Sequence, residues 1–495
     1  MSERQVIEHP VTEHPVTQCQ VTERQPSRGL VVATVLLGTT TVSLNNSSLN
    51  PALPVFIEVF AIGPLWATWI VAAFMVSMGI TMPLTGYLGD RLGNRRLYLL
   101  GTALFIAGSV IGALAGTIGW VIAARVVQGI ASGLMIPLSL TLIFSVYPKA
   151  ERGGITGLWG AAVMLAPALG PLCGGLLLAW FSWPALFVMN IPIGLLALLL
   201  GWRVLPYTAP APRRAFDVAG YVLVCVGVGV LMTVTGRLHH AAALWQPLNV
   251  LMLLVSLLCL AAFVRLELRL AQPLLNLRIF TLRGYRLSVV IAVVQSVGMF
   301  ECLVLLPMLV QMVMGYSALW TGLALLATAL CASLFGKLGG HWLPRYGAAR
   351  VVSLGLMLTA LATLGLGFCG AHSSLSALFG WMALRGAGLG LSYMPVTTAG
   401  LNALPQALVT QGAAMNNISR RLVSSLAIVL ASLYLEYRLA GSVLAPALAR
   451  ASAISEAFIA TAVVIALALP CAWRFPATSD EAAANALLSG TPPVR

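Results

Sequence analysis

Residues 86–96 read GYLGDRLGNRR and lie between two long apolar stretches. Asp90 can accept hydrogen bonds from the free amides of a helix N-terminus. Three glycines would let two helices turn back on each other within a few residues: Gly86, Gly89 and Gly93. Three arginines favour the cytoplasmic side of a membrane: Arg91, Arg95 and Arg96. We interpret this stretch as a tight cytoplasmic turn that gates two membrane helices.

Apolar stretches of transmembrane length continue on either side of this turn. Of 495 residues, 59% are hydrophobic and 8% are charged, and the mean hydropathy is +0.94. Lipid offers the backbone no hydrogen-bond partner, so such stretches must be helical. The sequence predicts an all-α polytopic membrane protein with fourteen transmembrane helices, at residues 30–57, 64–88, 97–116, 119–146, 154–178, 184–204, 216–236, 246–267, 285–312, 319–342, 350–368, 374–397, 411–435 and 454–474.

The distribution of basic residues orients these helices. The chain has a net charge of +14, and most of its lysines and arginines fall in loops on the side of residues 86–96. The positive-inside rule places that side and both termini in the cytoplasm. The basic excess then needs no nucleic-acid partner. Four arginines lie inside predicted helices and away from their ends: Arg125, Arg385, Arg420 and Arg421.

Groups that carry enzyme chemistry are scattered through the sequence. The eight cysteines occur singly with no CxxC spacing, so we expect no disulfide and no metal site. No cluster of a nucleophile with a base and no phosphate-binding loop is visible. The sequence therefore predicts a transporter without a cofactor rather than an enzyme.

Five stretches carry a resemblance to the major facilitator superfamily. The turn at 86–96 matches its motif A signature, GxLaDrxGrrxxl, and RVVQGIASGLMIP at 125–137 resembles its motif B. APALGPLCGG at 166–175 resembles motif C, which is associated with antiporters, through Gly170, Pro171, Gly174 and Gly175. FSWPALFVMNIPIG at 181–194 and LLPMLVQMVMGYSALWTG at 305–322 resemble the fourteen-span drug:proton antiporter branch.

The resemblance implies a major facilitator fold, which is two six-helix halves with two helices inserted between them. GHWLPRYGAAR at 340–350 is a degenerate second motif A, with Pro344 in the place of the aspartate. The expected organisation is a disordered cytoplasmic tail (1–28), a first half (29–207), two inserted helices with a linker (208–280), a second half (281–475) and a cytoplasmic tail (476–495).

One position departs from the family pattern. The first helix of the family usually carries LDxTxxNxALP, whose aspartate is implicated in coupling, whereas this chain has LNNSSLNPALP at 44–54. Asn45 replaces the acid, and an amide cannot carry a proton. Glu301 is the one acid deep in a predicted helix, and protonation would remove the cost of burying its charge. We therefore assign proton coupling to Glu301 and Arg125; a structural salt bridge of Glu301 to Arg420 or Arg421, or a structural role of Arg125, is the alternative.

Polar side chains amid apolar walls suit hydrophobic ligands. The substrate-binding residues that we expect are Asn45, Asn46, Asn50, Gln128, Gln295, Met299 and Gln311. The resulting hypothesis is proton-driven efflux of amphipathic drugs across a bacterial inner membrane. The resemblance also suggests a periplasmic adaptor and an outer-membrane channel as partners. A facilitator or specific metabolite transporter without proton antiport, and a non-transporting membrane sensor, are the alternatives.

Overall fold

The computed structural model describes residues 27–49, 52–62, 64–149, 151–207, 215–237, 243, 245–270, 273–440 and 446–476. The predicted terminal tails lie almost wholly outside these ranges, and Asn50 lies outside them as well. Within the described residues the chain is helical and contains no strand. The predicted all-α class is therefore confirmed.

Nine helices form the first half: α1 (Arg28–Ser48), α2 (Leu53–Phe60), α3 (Pro64–Thr81), α4 (Leu84–Leu92), α5 (Asn94–Ala113), α6 (Ile118–Val146), α7 (Arg152–Trp180), α8 (Ala185–Val188) and α9 (Asn190–Val204). The inserted pair is α10 (Val218–Arg237) and α11 (Pro247–Arg269). The second half has α12 (Arg283–Pro307), α13 (Ala318–Tyr346), α14 (Ala348–Gly367), α15 (Leu375–Asn402), α16 (Val409–Ala440), α17 (Pro446–Ala466) and α18 (Leu469–Trp473).

Among the described residues, nine helices are long and apolar enough to cross a membrane, or ten if one bent pair is a single span. That pair is residues 69–81 with α4, and its axes meet at 58°. Pro83 lies at the bend, where it removes a backbone donor. The count of fourteen spans and the domain boundaries stay predictions.

The two halves repeat one packing order. In the first, α6 packs against α3 and α5 while α1 packs against α7 and α9. In the second, α15 packs against α13 and α14 while α12 packs against α16 and α17. The helices α1 and α12 therefore occupy equivalent places, as do α6 and α15.

The motif A turn and its repeat share a backbone conformation. One glycine joins α4 to α5, Gly93 at φ 83° and ψ 140°, and one joins α13 to α14, Gly347 at φ 79° and ψ 155°. Only glycine adopts these angles readily. The turn is shorter than predicted, since residues 84–92 are helical up to the glycine.

The halves meet closely at the end of the bundle that carries motif A. A methyl group on Gly157 of α7 would lie 2.5 Å from the Gly336 carbonyl oxygen of α13. The Thr141 and Thr410 hydroxyls are 3.0 Å apart across the same interface. Arg152 donates to the Asn402 side chain at 3.2 Å and to that of Gln406 at 3.0 Å. These contacts close the bundle at this end.

Candidate functional site

Arg125 lies fully buried in α6 at the centre of the first half. Its Nη1 donates to Asn45 Oδ1 of α1 at 2.7 Å and to Gln128 Oε1 at 2.9 Å. Its Nε donates to the Ile70 carbonyl of α3 at 3.0 Å. The guanidinium carbon is 4.2 Å from the centre of the Phe74 ring. Three helices thus hold one buried cation through neutral groups.

Several polar atoms of this cluster have no hydrogen-bond partner. They are Arg125 Nη2, Asn45 Nδ2 and Asn46 Oδ1. Gln128 extends the cluster by donating to Ser109 Oγ of α5 at 2.9 Å. A buried polar atom without a partner is costly, so such atoms in a membrane bundle indicate water or ligand contact.

Glu301 occupies the corresponding part of α12 and is 9% exposed. Arg385 of α15 lies within electrostatic range of its carboxyl, and Thr461 of α17 lies beside it; the described residues show no salt bridge between Glu301 and Arg385. Arg385 Nη2 donates to the Gly298 carbonyl, one turn before Glu301, at 2.5 Å. The alternative of a salt bridge from Glu301 to Arg420 or Arg421 is not seen in the described residues, and the arginine whose charge acts on Glu301 is Arg385.

The two centres are related by the internal repeat. In the first half, an amide on α1 faces an arginine on α6; in the second, a carboxyl on α12 faces an arginine on α15. The helix that carries Asn45 is thus equivalent to the one that carries Glu301. Glu301 is therefore an acid at the place in the second half that Asn45 occupies in the first.

The other predicted binding residues divide into interior and outlying positions. Gln295 of α12 is fully buried and its Nε2 contacts the Ser392 hydroxyl of α15. Met299 is partly buried on the same helix. Gln311 is exposed in a π-helical turn, Met308–Val313, and its amide is 3.5 Å from Thr321 Oγ1. The structure therefore does not bring Gln311 to the buried centre.

The sequence reasoning missed several polar residues of the interior. Arg420 of α16 donates from Nε to Ser296 Oγ at 3.1 Å, and its guanidinium carbon is 4.5 Å from the Tyr393 ring centre. Arg421 Nη1 is 3.4 Å from Met75 Sδ of α3. The Tyr393 hydroxyl and Asn416 Oδ1 are buried without partners. Arginines within apolar helices were the available signal.

Motif A contacts the second half through its small residues. A methyl group on Gly86 would lie 2.7 Å from Gln411 Cγ of α16. Arg91 Nη1 is 3.4 Å from the Tyr87 hydroxyl, and Arg95 donates to the Trp202 carbonyl. Asp90 lines a cleft whose other walls come from the linkers and α16: Tyr87, Ala215, Asp217, Pro273, Leu274 and Gln411.

The motif C glycines have unequal surroundings in α7. A methyl group on Gly170 would collide with the Ser47 hydroxyl, and one on Gly174 with the Ser48 carbonyl oxygen of α1. A methyl group on Gly175 would enter open space. Close helix approach therefore depends on two of the three glycines.

This repeated helical bundle with a buried polar centre defines a multi-pass membrane transporter. The family model of the Major Facilitator Superfamily matches residues 35–428. The chain belongs to the major facilitator superfamily.

The chain is similar over most of its length to known multidrug transporters. Multidrug resistance protein Stp of Mycobacterium tuberculosis is 31% identical over 371 residues, covering 74% of this chain and 68% of that protein. Multidrug export protein EmrB of Escherichia coli is 27% identical over 401 residues, covering 80% and 78%. The human organic anion transporter MFSD10 shares the fold, with a TM-score of 0.66 at 19% identity over 90% of this chain and 100% of that one. The predicted resemblance is confirmed.

Proposed function

We propose that this protein exports amphipathic organic compounds across a bacterial inner membrane in exchange for protons. Similarity to EmrB and Stp, whose names describe multidrug export or resistance, supports the export of drugs. Residues on both halves would form the substrate site, and rocking of the halves would expose it to each side in turn. A periplasmic adaptor and an outer-membrane channel belong to the same proposal.

The observation that carries proton coupling is the position of Glu301. It is buried beside Arg385 at the place in the second half that matches Asn45 beside Arg125 in the first. A carboxylate there attracts the guanidinium, and protonation removes that attraction. Proton binding therefore changes the contact between α12 and α15, as an exchanger requires.

The orientation follows from the basic loops, and we infer that the motif A end is cytoplasmic. The contacts of α7 with α13 and of Arg152 with Asn402 and Gln406 then close the cytoplasmic side. In this state the substrate site is separated from the cytoplasm. Proton-driven exchange would open the contacts to load the next substrate.

Glu301→Gln tests the coupling because it imitates a permanently protonated side chain. In proteoliposomes with an imposed pH gradient, we expect uphill export to fall to the background rate while downhill substrate exchange continues. Glu58→Gln is the matched control, since Glu58 is an exposed acid on α2, and it should leave both rates unchanged.

Uphill export by Glu301→Gln at the wild-type rate would show that another residue couples export to protons. Substrate flux without proton flux in the wild type would favour the facilitator. Absence of any flux with a broad compound panel would favour the membrane sensor.

A further inference from the structure

The interior of the bundle has more positive than negative side chains. The four arginines of the described helices that lie away from the membrane edges are Arg125, Arg385, Arg420 and Arg421, whereas Glu301 is the acid at comparable depth in the described residues. Arg385 lies within electrostatic range of Glu301, which offsets part of its charge. The other three contact neutral groups. A buried charge without a countercharge is costly, so this excess indicates a ligand of opposite sign.

A free donor of Arg125 and the position of Arg421 indicate where such a ligand would bind. Arg125 Nη2 is buried without a partner, although the other nitrogens of the same guanidinium all donate to neutral oxygens at 2.7–3.0 Å. Arg421 Nη1 lies 3.4 Å from the sulfur of Met75. Met75 follows Phe74, whose ring stacks on Arg125. Arg125 and Arg421 thus approach one segment of α3 from the two halves.

The surroundings of these arginines are apolar and aromatic. Phe74 and Tyr393 place ring faces on Arg125 and Arg420, at 4.2 and 4.5 Å. Met394 belongs to a buried apolar cluster, and the partly buried Met75 packs against it. Methionine and aromatic side chains adapt to irregular apolar bodies. The site combines donors for an anionic head with walls for a hydrophobic body.

We propose that the transported compounds are amphipathic organic anions, whose carboxylate or sulfonate binds between Arg125 of the first half and Arg420 and Arg421 of the second. This assignment of substrate class rests on the proposed export function. An anion held by both halves would also connect them during the transport cycle. Charge-assisted hydrogen bonds to arginine supply the selectivity.

The test compares one naphthalene body that carries a sulfonate, a neutral sulfonamide or a trimethylammonium group. Binding of each is measured to the purified full-length protein in nanodiscs of zwitterionic lipid, without a gradient. We expect the sulfonate to bind about tenfold or more tighter than the other two, which corresponds to one charge-assisted hydrogen bond. Tighter or equal binding of the trimethylammonium compound would overturn the proposal.

Arginine variants identify the source of the selectivity. Arg421→Gln should weaken sulfonate binding to the level of the sulfonamide and leave sulfonamide binding unchanged, while Arg421→Lys should retain most of the preference. Arg438→Gln is the matched control, because Arg438 pairs with Glu456 at an exposed position. An equal loss for all three compounds in Arg421→Gln, in protein that melts at the wild-type temperature, would show a packing role and contradict the proposal.

Transport measurements separate this proposal from the proposed function. Selective sulfonate binding without pH-driven flux would leave the substrate class standing and refute the antiport. Conversely, pH-driven flux of the trimethylammonium compound alone would support the antiport and refute the anion site.

Discussion

Arg125 is a charge in the protein interior whose hydrogen bonds all go to neutral acceptors, with Asn45 closest at 2.7 Å. The cluster is held by three helices, so the guanidinium is well ordered even though one nitrogen has no partner. An unpaired buried charge lowers stability, and proteins retain such a charge where it has a function. Arg125 therefore affects both the stability of the bundle and the binding of a ligand.

Asn45→Asp should change these two properties in opposite directions. A carboxylate at this position gives Arg125 a countercharge, so we expect a gain of roughly 1–3 kcal/mol in the free energy of unfolding. The same carboxylate should weaken sulfonate binding about tenfold, because it neutralises part of the site. Thermal unfolding and equilibrium binding in nanodiscs measure the two effects.

Asn45→Ala is the companion variant, since it removes the acceptor and adds no charge. It should lower the free energy of unfolding by about 1–3 kcal/mol. Lower stability of Asn45→Asp than of Asn45→Ala would contradict this account of the Arg125 cluster.

At the scale of helices, the contact of α1 with α7 fixes the position of Asn45. Gly170 and Gly174 leave no room for a methyl group against Ser47 and Ser48, which follow Asn45 within one turn. Small residues allow membrane helices to approach until their backbones touch. Motif C therefore positions the helix that reaches Arg125.

Gly170→Ala should cost about 1–3 kcal/mol of stability, because α1 must move away from its contact with α7. Gly175→Ala adds the same methyl group five residues further along α7, where it enters open space. The melting temperature of this variant should therefore equal that of the wild type. Equal melting temperatures for the two variants would show that α7 tolerates displacement of α1.

At the scale of the whole molecule, the two halves close against each other through glycine backbones. Gly153 and Gly157 of α7 pack against Gly340 and Gly336 of α13. In such a contact backbone packs on backbone, and no flexible side chain can move aside to make room for an added group. It should act as a gate whose closure is sensitive to one added methyl group.

Gly157→Ala should therefore favour the state that is open to the cytoplasm. On a cysteine-free background, Thr141→Cys reports the opening, because Thr141 faces Thr410 across the closed interface. We expect an impermeant maleimide applied to everted vesicles to label this cysteine several-fold faster in Gly157→Ala. Gly154→Ala adds its methyl to open space and should not change the rate; an increase there would point to a general loosening of α7.

Membrane topology is the second expectation at this scale. Reporter fusions after residues 210 and 480 should show a cytoplasmic location, and a fusion at residue 240 should show a periplasmic one. The reason is the concentration of arginine in the loops on the motif A side. A periplasmic reporter at residue 480 would contradict the count of fourteen spans.

The class of the protein and part of its local structure can be predicted from the amino-acid sequence. Long apolar stretches can only be helices in lipid, so the all-α class followed from composition. Motif A also predicts a tight turn that includes Gly93, but it does not predict that a single residue with a positive φ forms the turn there and at Gly347. Backbone hydrogen bonding and dihedral preferences depend on residues close in sequence, so they can be predicted from it.

Which residues contact each other across the bundle depends on how the helices pack and cannot be read from the sequence. Asn45 and Arg125 are 80 residues apart in sequence, and the proximity of Glu301 to Arg385 depends on how α12 packs against α15. The exposed position of Gln311 and the open surroundings of Gly175 likewise depend on packing between helices. Apolar residues surround these helices on nearly every side, so hydrophobic periodicity carries little information about which face is buried. Contacts between distant helices are set by that packing, and therefore the sequence could name the charged groups but not their partners.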